Sequence, residues 1–153
     1  NLRSYEPAVR QTMITAIKRI VTAECEASGS PTAPEFEFYD QFPLTHNDAA
    51  VNDLVTEAFI NHFGPDRVRT AQPVTASEDF SNIPNAFGIP YTYWTVGGTD
   101  PEQYREAAAK GTVGSDIPGN HSPFFAPVID PTLEAATRAH VVAALAYLGQ
   151  ETA

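Results

Sequence analysis

The sequence predicts an α/β or α+β fold. Amphipathic helical patterns alternate along the chain with short runs rich in aromatic and β-branched residues, and turns containing glycine or proline separate them. The predicted order is strand–helix–strand, followed by helix–strand–strand–helix with long loops. Hydrophobic residues make up 42% and charged residues 18% of the 153 residues, which is a globular composition with enough apolar material for a core.

The first part of the chain predicts a strand, a long helix and a second strand. Residues 2–5 are the first strand, and Pro7 then occupies a first helical position, where proline is tolerated. The helix ends at Gly29, which can adopt a left-handed cap. Residues 35–39 alternate between acidic and aromatic side chains, as in a half-buried strand. The helix presents one apolar stripe, consisting of Val9, Met13, Ile17, Ile20, Val21 and Cys25.

A polar turn at 45–48 precedes a second amphipathic helix, which ends at Gly64 before a proline. Its apolar face consists of Val51, Leu54, Val55, Ala58, Phe59 and Phe63. A short strand is expected around Val68, and a loop at 75–80 should open a short helical turn. The change of character near residues 44–50 places a domain boundary there.

Residues 90–96 are the strongest predicted strand, because they are rich in aromatic and β-branched residues. Two glycines turn the chain, and Asp100 is expected to cap a following helix. The last helix runs from 131 to about 148. Its predicted inward side chains are Leu133, Val141, Ala144, Leu145 and Leu148.

Charge limits the classes of partner. Nine basic residues face 19 acidic ones, which gives a formal net charge of −10. This field repels a phosphate backbone, so nucleic acid and anionic membrane surfaces are not expected as partners. The chain has no apolar run long enough for a membrane span and no visible secretory signal. The single Cys25 excludes an internal disulfide, and a cytoplasmic location is expected.

The four histidines differ in setting. His140 and His62 lie on apolar helix faces and are interpreted as structural, while His46 lies in a polar turn and is interpreted as solvent-facing. His121 lies in a loop that Pro118 and Pro123 stiffen, and two aromatic residues follow it. A metal ligand or a catalytic residue needs such a rigid surrounding, so His121 is a functional candidate. The structural alternative is that its side chain only hydrogen-bonds a carbonyl of the loop.

A second candidate is the acidic loop Ser77-Glu78-Asp79-Phe80. It is either a helix start with a serine cap and an acidic first turn, or an acidic pair beside a cation. The sequence has no HExxH, no GxSxG and no glycine-rich phosphate loop. Cys25 lies on the apolar helical stripe and is interpreted as a core residue.

Four segments in order resemble one family. They are Leu2-Arg3-Ser4-Tyr5-Glu6-Pro7-Ala8-Val9-Arg10, Leu44-Thr45-His46-Asn47-Asp48, Ser77-Glu78-Asp79-Phe80-Ser81 and Asn120-His121-Ser122-Pro123-Phe124-Phe125. Together they resemble the hippurate-hydrolase and indole-acetyl-amino-acid-hydrolase branch of the aminoacylase–carboxypeptidase metallopeptidases. The resemblance implies that residues 1–46 are the second half of a ferredoxin-like α+β lid, or dimerisation, domain. Residues 47–153 are then the returning C-terminal part of a zinc-exopeptidase-like α/β catalytic domain.

The resemblance also implies a function. The family hydrolyses the amide bond of N-acyl amino acids or small peptides at a centre of two divalent metal ions, usually zinc or manganese. His121 then matches a metal ligand, Glu78 and Ser77 are assigned to substrate binding, and the general base is expected upstream of residue 1. The implied partners are the small substrate, the N-terminal part of the same chain and a second copy bound through the lid.

The sequence departs from the family pattern at several positions. Ala76 stands where glycine is usual, Thr75 where methionine is common, and His46 where a small apolar residue is common. The family's other ligand motifs have no match here, so the chain alone is expected to be inactive. The alternative functions are a non-catalytic binding module and a pseudo-enzyme of the same fold.

Overall fold

The computed structural model describes residues 1–149, and every regular element in this range is helical. The elements are α1 (Pro7–Ala27), α2 (Ala49–Phe63), a 3-10 turn (Pro65–Arg67), α3 (Asn82–Phe87), α4 (Pro101–Lys110), α5 (Val113–Asp116) and α6 (Thr132–Leu148). The chain divides into two compact units. The first unit contains Asn1–Asp48 and Thr70–Tyr91, and the second contains Ala49–Arg69 and the chain from Thr92 onward. The division at residues 46 and 47 into lid and catalytic domains stays a prediction.

The predicted α/β fold with a ferredoxin-like lid is wrong for the described residues. None of the four predicted strands, at 2–5, 35–39, around 68 and at 90–96, forms a strand within residues 1–149. A strand requires a run of backbone N–H and C=O groups paired with a neighbouring segment. At 90–96, the amide of Asp48 donates to the Tyr91 carbonyl at 2.8 Å, but a ladder does not follow. Residues 90–96 have the composition of a strand, but their backbone does not form a ladder with a neighbouring segment.

The long helices follow the sequence closely because their signals are local. Pro7 starts α1, and Gly29 beyond its end has a left-handed φ of 68°. The Asp100 side chain accepts hydrogen bonds from the amides of Glu102 and Gln103, each at 2.9 Å, and so caps α4 as predicted.

The first unit is organised around α1, but the predicted buried stripe of this helix is wrong. No residue of α1 is buried, and Ile20 is 51% exposed. One side of α1 contacts the aromatic segment that follows: the Lys18 ammonium lies 5.5 Å from the Phe36 ring centre and 4.9 Å from that of Phe38. The two aromatic rings therefore share one side, as their alternation predicted.

The second unit has its core between α2 and α6. Val55 and Phe59 of α2 pack with Ala139 and Ala143 of α6. Trp94 extends this core, with its ring centre 5.4 Å from that of Phe59 in an edge-on arrangement. The apolar face predicted for α2 is confirmed at both buried positions.

The inward face predicted for α6 is wrong. Four of its five predicted inward side chains are large hydrophobic residues that lie exposed: Leu133, Val141, Leu145 and Leu148. The small alanines Ala139 and Ala143 face α2 instead, because small side chains allow two helices to approach closely. Among the helices of residues 1–149, none combines the length and the apolar character needed to cross a membrane.

Candidate functional site

In the first unit, distant parts of the sequence meet around the loop at 75–81. The Arg3 guanidinium donates from Nη1 to the Thr75 carbonyl and, at 3.1 Å, to the Ser77 hydroxyl. On the other side of the loop, the Phe80 ring packs edge-on against Tyr91 at 5.6 Å. Arg3 thus holds Thr75 and Ser77, and Tyr91 packs against Phe80.

Tyr91 also holds the segment at 45–48. Its hydroxyl accepts a hydrogen bond from the His46 amide at 2.9 Å, and its carbonyl accepts one from the Asp48 amide at 2.8 Å. We call the set Arg3, His46, Ser77, Phe80 and Tyr91 the motif cluster. Its members come from three of the four segments that carry the family resemblance, with Tyr91 as the added link.

Glu78 is the half-buried residue of the loop. Its Oε1 accepts hydrogen bonds from the amides of Asp79 at 3.0 Å and Phe80 at 3.1 Å. The helix cap predicted for Ser77 does not form, because α3 begins only at Asn82 and has no side-chain cap. The two backbone donors hold the Glu78 carboxylate in one orientation. A carboxylate held in this way can stabilise the turn and can also contact a substrate.

Two hydroxyl oxygens near these segments are buried without a hydrogen-bond partner, Thr45 Oγ1 and Ser81 Oγ. Ser81 is fully buried. A buried hydroxyl ordinarily has a partner, because desolvating an unpaired one costs free energy. Both residues lie in segments that carry the family resemblance, but the sequence assigned no role to either hydroxyl.

His121 belongs to the second unit and has an unusual backbone. Its φ is 71°, in the left-handed region that few residues other than glycine adopt. The turn is closed by hydrogen bonds from the Ser122 amide to the Gly119 carbonyl and from the Phe125 amide to the Ser122 carbonyl, each 3.1 Å long. The side chain is exposed. A turn closed by backbone hydrogen bonds therefore presents the imidazole at the surface.

The residues after His121 are tied to the turn that follows Trp94. The Val128 amide donates to the Gly98 carbonyl at 2.9 Å, and a Cβ on Gly98 would lie 2.9 Å from the Cβ of Pro127. A cavity of about 150 Å³ lies here, and its wall includes Asp100, Pro118 and Phe125. Just before this loop, hydrogen bonds from Thr112 and then Ser115 hold the pKa of Asp116 below its ordinary value.

The other histidines have structural settings in the same unit. His140 Nδ1 lies 2.8 Å from the Ala136 carbonyl, a distance that fits donation from that nitrogen, and its ring is 5.5 Å from Trp94. The His62 ring packs edge-on against Phe63 at 4.6 Å. Both rings contact aromatic neighbours, but both side chains are exposed, so the predicted apolar packing is only partial.

Among residues 1–149, no three His, Cys, Asp or Glu side chains are grouped closely enough to hold a metal ion. His121 is therefore a candidate for a single ligand. No model of a known protein family matches the chain. The family resemblance consequently rests on the four motifs.

Proposed function

We propose that this chain forms part of a metal-dependent amidohydrolase that cleaves the amide bond of N-acyl amino acids or small peptides. The observation that carries the proposal is the motif cluster. Arg3, His46, Ser77 and Phe80 are up to 77 positions apart in sequence, yet Arg3 bonds to Ser77 while Phe80 and His46 both contact Tyr91. Chance similarity in short motifs gives no reason for those motifs to meet.

The geometry of His121 supports its role as a metal ligand. Left-handed conformation in a residue other than glycine costs about 1 kcal/mol or more, and such residues are concentrated at functional sites. The imidazole is exposed on a turn whose backbone is closed by hydrogen bonds, so the backbone position of this candidate ligand is constrained. The proposed centre holds two ions of zinc or manganese. When bound, these ions would polarise the amide carbonyl and activate water.

The proposal includes further polypeptide, because His121 alone is one ligand of the several that two metal ions need. In the first unit, large apolar side chains of α1 are exposed. In the second unit, large apolar side chains of α6 are exposed. Such exposed apolar faces are typical of surfaces covered by other protein. We propose that the N-terminal part of the same gene product covers part of this surface and supplies the remaining ligands and the general base.

The test uses the full gene product with a panel of N-acyl amino acids. We expect hydrolysis that a chelator abolishes and that zinc or manganese restores, and we expect no turnover from the 153-residue chain alone. Glu78→Gln should reduce kcat/KM at least tenfold, with the exposed Glu57→Gln on α2 as the matched control. Chelator-insensitive hydrolysis, or no hydrolysis of any panel member, would overturn the proposal.

A further inference from the structure

Arg3 is a basic side chain of the first unit that contacts the loop at 75–81. A single guanidinium nitrogen, Nη1, donates to both the Thr75 carbonyl and the Ser77 hydroxyl. Thr75 and Ser77 lie 72 and 74 positions from Arg3 in the sequence. This contact therefore depends on the fold of the unit and not on local sequence.

The loop is held at two points, and Glu78 lies between them. Arg3 holds its beginning at Thr75 and Ser77, and the Phe80–Tyr91 ring contact holds its end. Between these points, the carboxylate of Glu78 bonds to the amides of Asp79 and Phe80. Residues 70–79 form no helix, so contacts of this kind, rather than regular secondary structure, set the direction of the carboxylate.

We propose that Arg3 is a positioning residue that fixes Ser77 and Glu78 in the orientation needed to bind substrate. This inference rests on the proposed function. Arg3 acts through the loop, because the nitrogen that reaches it is already engaged by two protein acceptors. Arginine suits the task, since its charge is permanent and its planar donors lose little freedom per hydrogen bond formed.

The first experiment needs no activity. Hydrogen exchange of the Asp79 and Phe80 amides is measured in the 153-residue chain and in Arg3→Gln. We expect exchange to become about fivefold faster, as loss of one ordinary hydrogen bond predicts. Arg19→Gln, an exposed residue of α1 with the same change in charge, is the matched control and should leave both rates unchanged. Equal exchange in Arg3→Gln and the unmodified chain would overturn the proposal.

The second experiment separates positioning from simple stabilisation. In the full gene product, Arg3→Gln should raise KM about fivefold and leave kcat nearly unchanged, because a misdirected loop weakens binding of substrate and transition state alike. Arg3→Lys should restore part of the loss. Faster exchange with unchanged KM would make Arg3 a stabilising residue only, which overturns the positioning role. If the gene product hydrolyses none of the N-acyl amino acids, the proposed function fails, and amide exchange alone decides whether Arg3 orders the loop.

Discussion

His121 shows what a single residue in the sequence can and cannot predict. The prolines at 118 and 123 predicted a stiff loop, and the turn is indeed closed by backbone hydrogen bonds. The left-handed φ of 71° was not predictable, because histidine adopts that region only when surrounding contacts impose it. The backbone conformation of His121 is therefore a property that its residue type does not encode.

Ser81 gives a prediction at the same scale. Its hydroxyl is fully buried without a partner, so replacing it with a methyl group removes a desolvation cost and loses no hydrogen bond. Ser81→Ala should leave the free energy of unfolding unchanged or raise it by up to about 1 kcal/mol in urea denaturation. A decrease of more than about 1 kcal/mol would mean that the hydroxyl is hydrogen-bonded in solution.

Among the elements, helices were predictable and strands were not. Helix signals such as Pro7, Asp100 and Gly29 act within a few residues of the positions that they control, and all three behave as expected. A strand depends on a partner that can lie anywhere in the chain. The aromatic run at 90–96 has the composition of a strand, but composition leaves its pairing undetermined.

The face of a helix is also decided by its neighbour. The sequence predicted that the large apolar side chains of α6, with Ala144, face inward. The core with α2 instead uses Ala139 and Ala143, because Val55 and Phe59 fill the space that the alanines leave. Close helix approach thus overrode the burial of larger side chains.

Paired substitutions on α6 test which face is packed. Ala143→Leu should lower the free energy of unfolding by about 1–3 kcal/mol, because extra methylene groups would overpack the contact with α2. Ala144→Leu changes the adjacent exposed residue and should alter stability by less than about 0.5 kcal/mol. If the face predicted from the sequence were packed instead, Ala144→Leu would destabilise the protein more than Ala143→Leu. Thermal or urea denaturation of the two variants distinguishes these alternatives.

The turn at 97–98 offers a second matched pair. A Cβ on Gly98 would lie 2.9 Å from that of Pro127, whereas a Cβ on Gly97 would meet no atom within 4 Å. Gly98→Ala should therefore cost about 1–3 kcal/mol of stability and disturb the loop that carries His121. Gly97→Ala should be close to neutral. If both variants unfold at the same urea concentration, Gly98 and Pro127 are not in close contact in solution.

The whole molecule exposes more surface than its size requires. Its accessible area is 12194 Å², whereas two separate compact domains of the same total mass would expose about 9,000 Å² together. The excess includes large apolar side chains such as Ile20 and Leu145. An interaction with further polypeptide would cover such surface, in agreement with the proposed function.

The candidate site was predicted in part. The motifs led to the proposal of Ser77, Glu78 and His121 as site residues. The contacts that Arg3 and Tyr91 make with other segments of the first unit were not predictable, because no local pattern specifies them. Tyr91 was counted as a strand residue, and only the folded unit shows that its hydroxyl, ring and carbonyl each hold another segment.

The most direct test of the central claim is the metal content of the full gene product carrying His121→Asn. Asparagine tolerates a left-handed backbone, so this substitution removes the imidazole while keeping the turn. Elemental analysis should show a loss of about one ion per chain, with an unchanged melting temperature of the metal-free protein. His62→Asn, which alters a histidine packed on Phe63, should retain the full metal content. Full metal occupancy in His121→Asn would contradict the account.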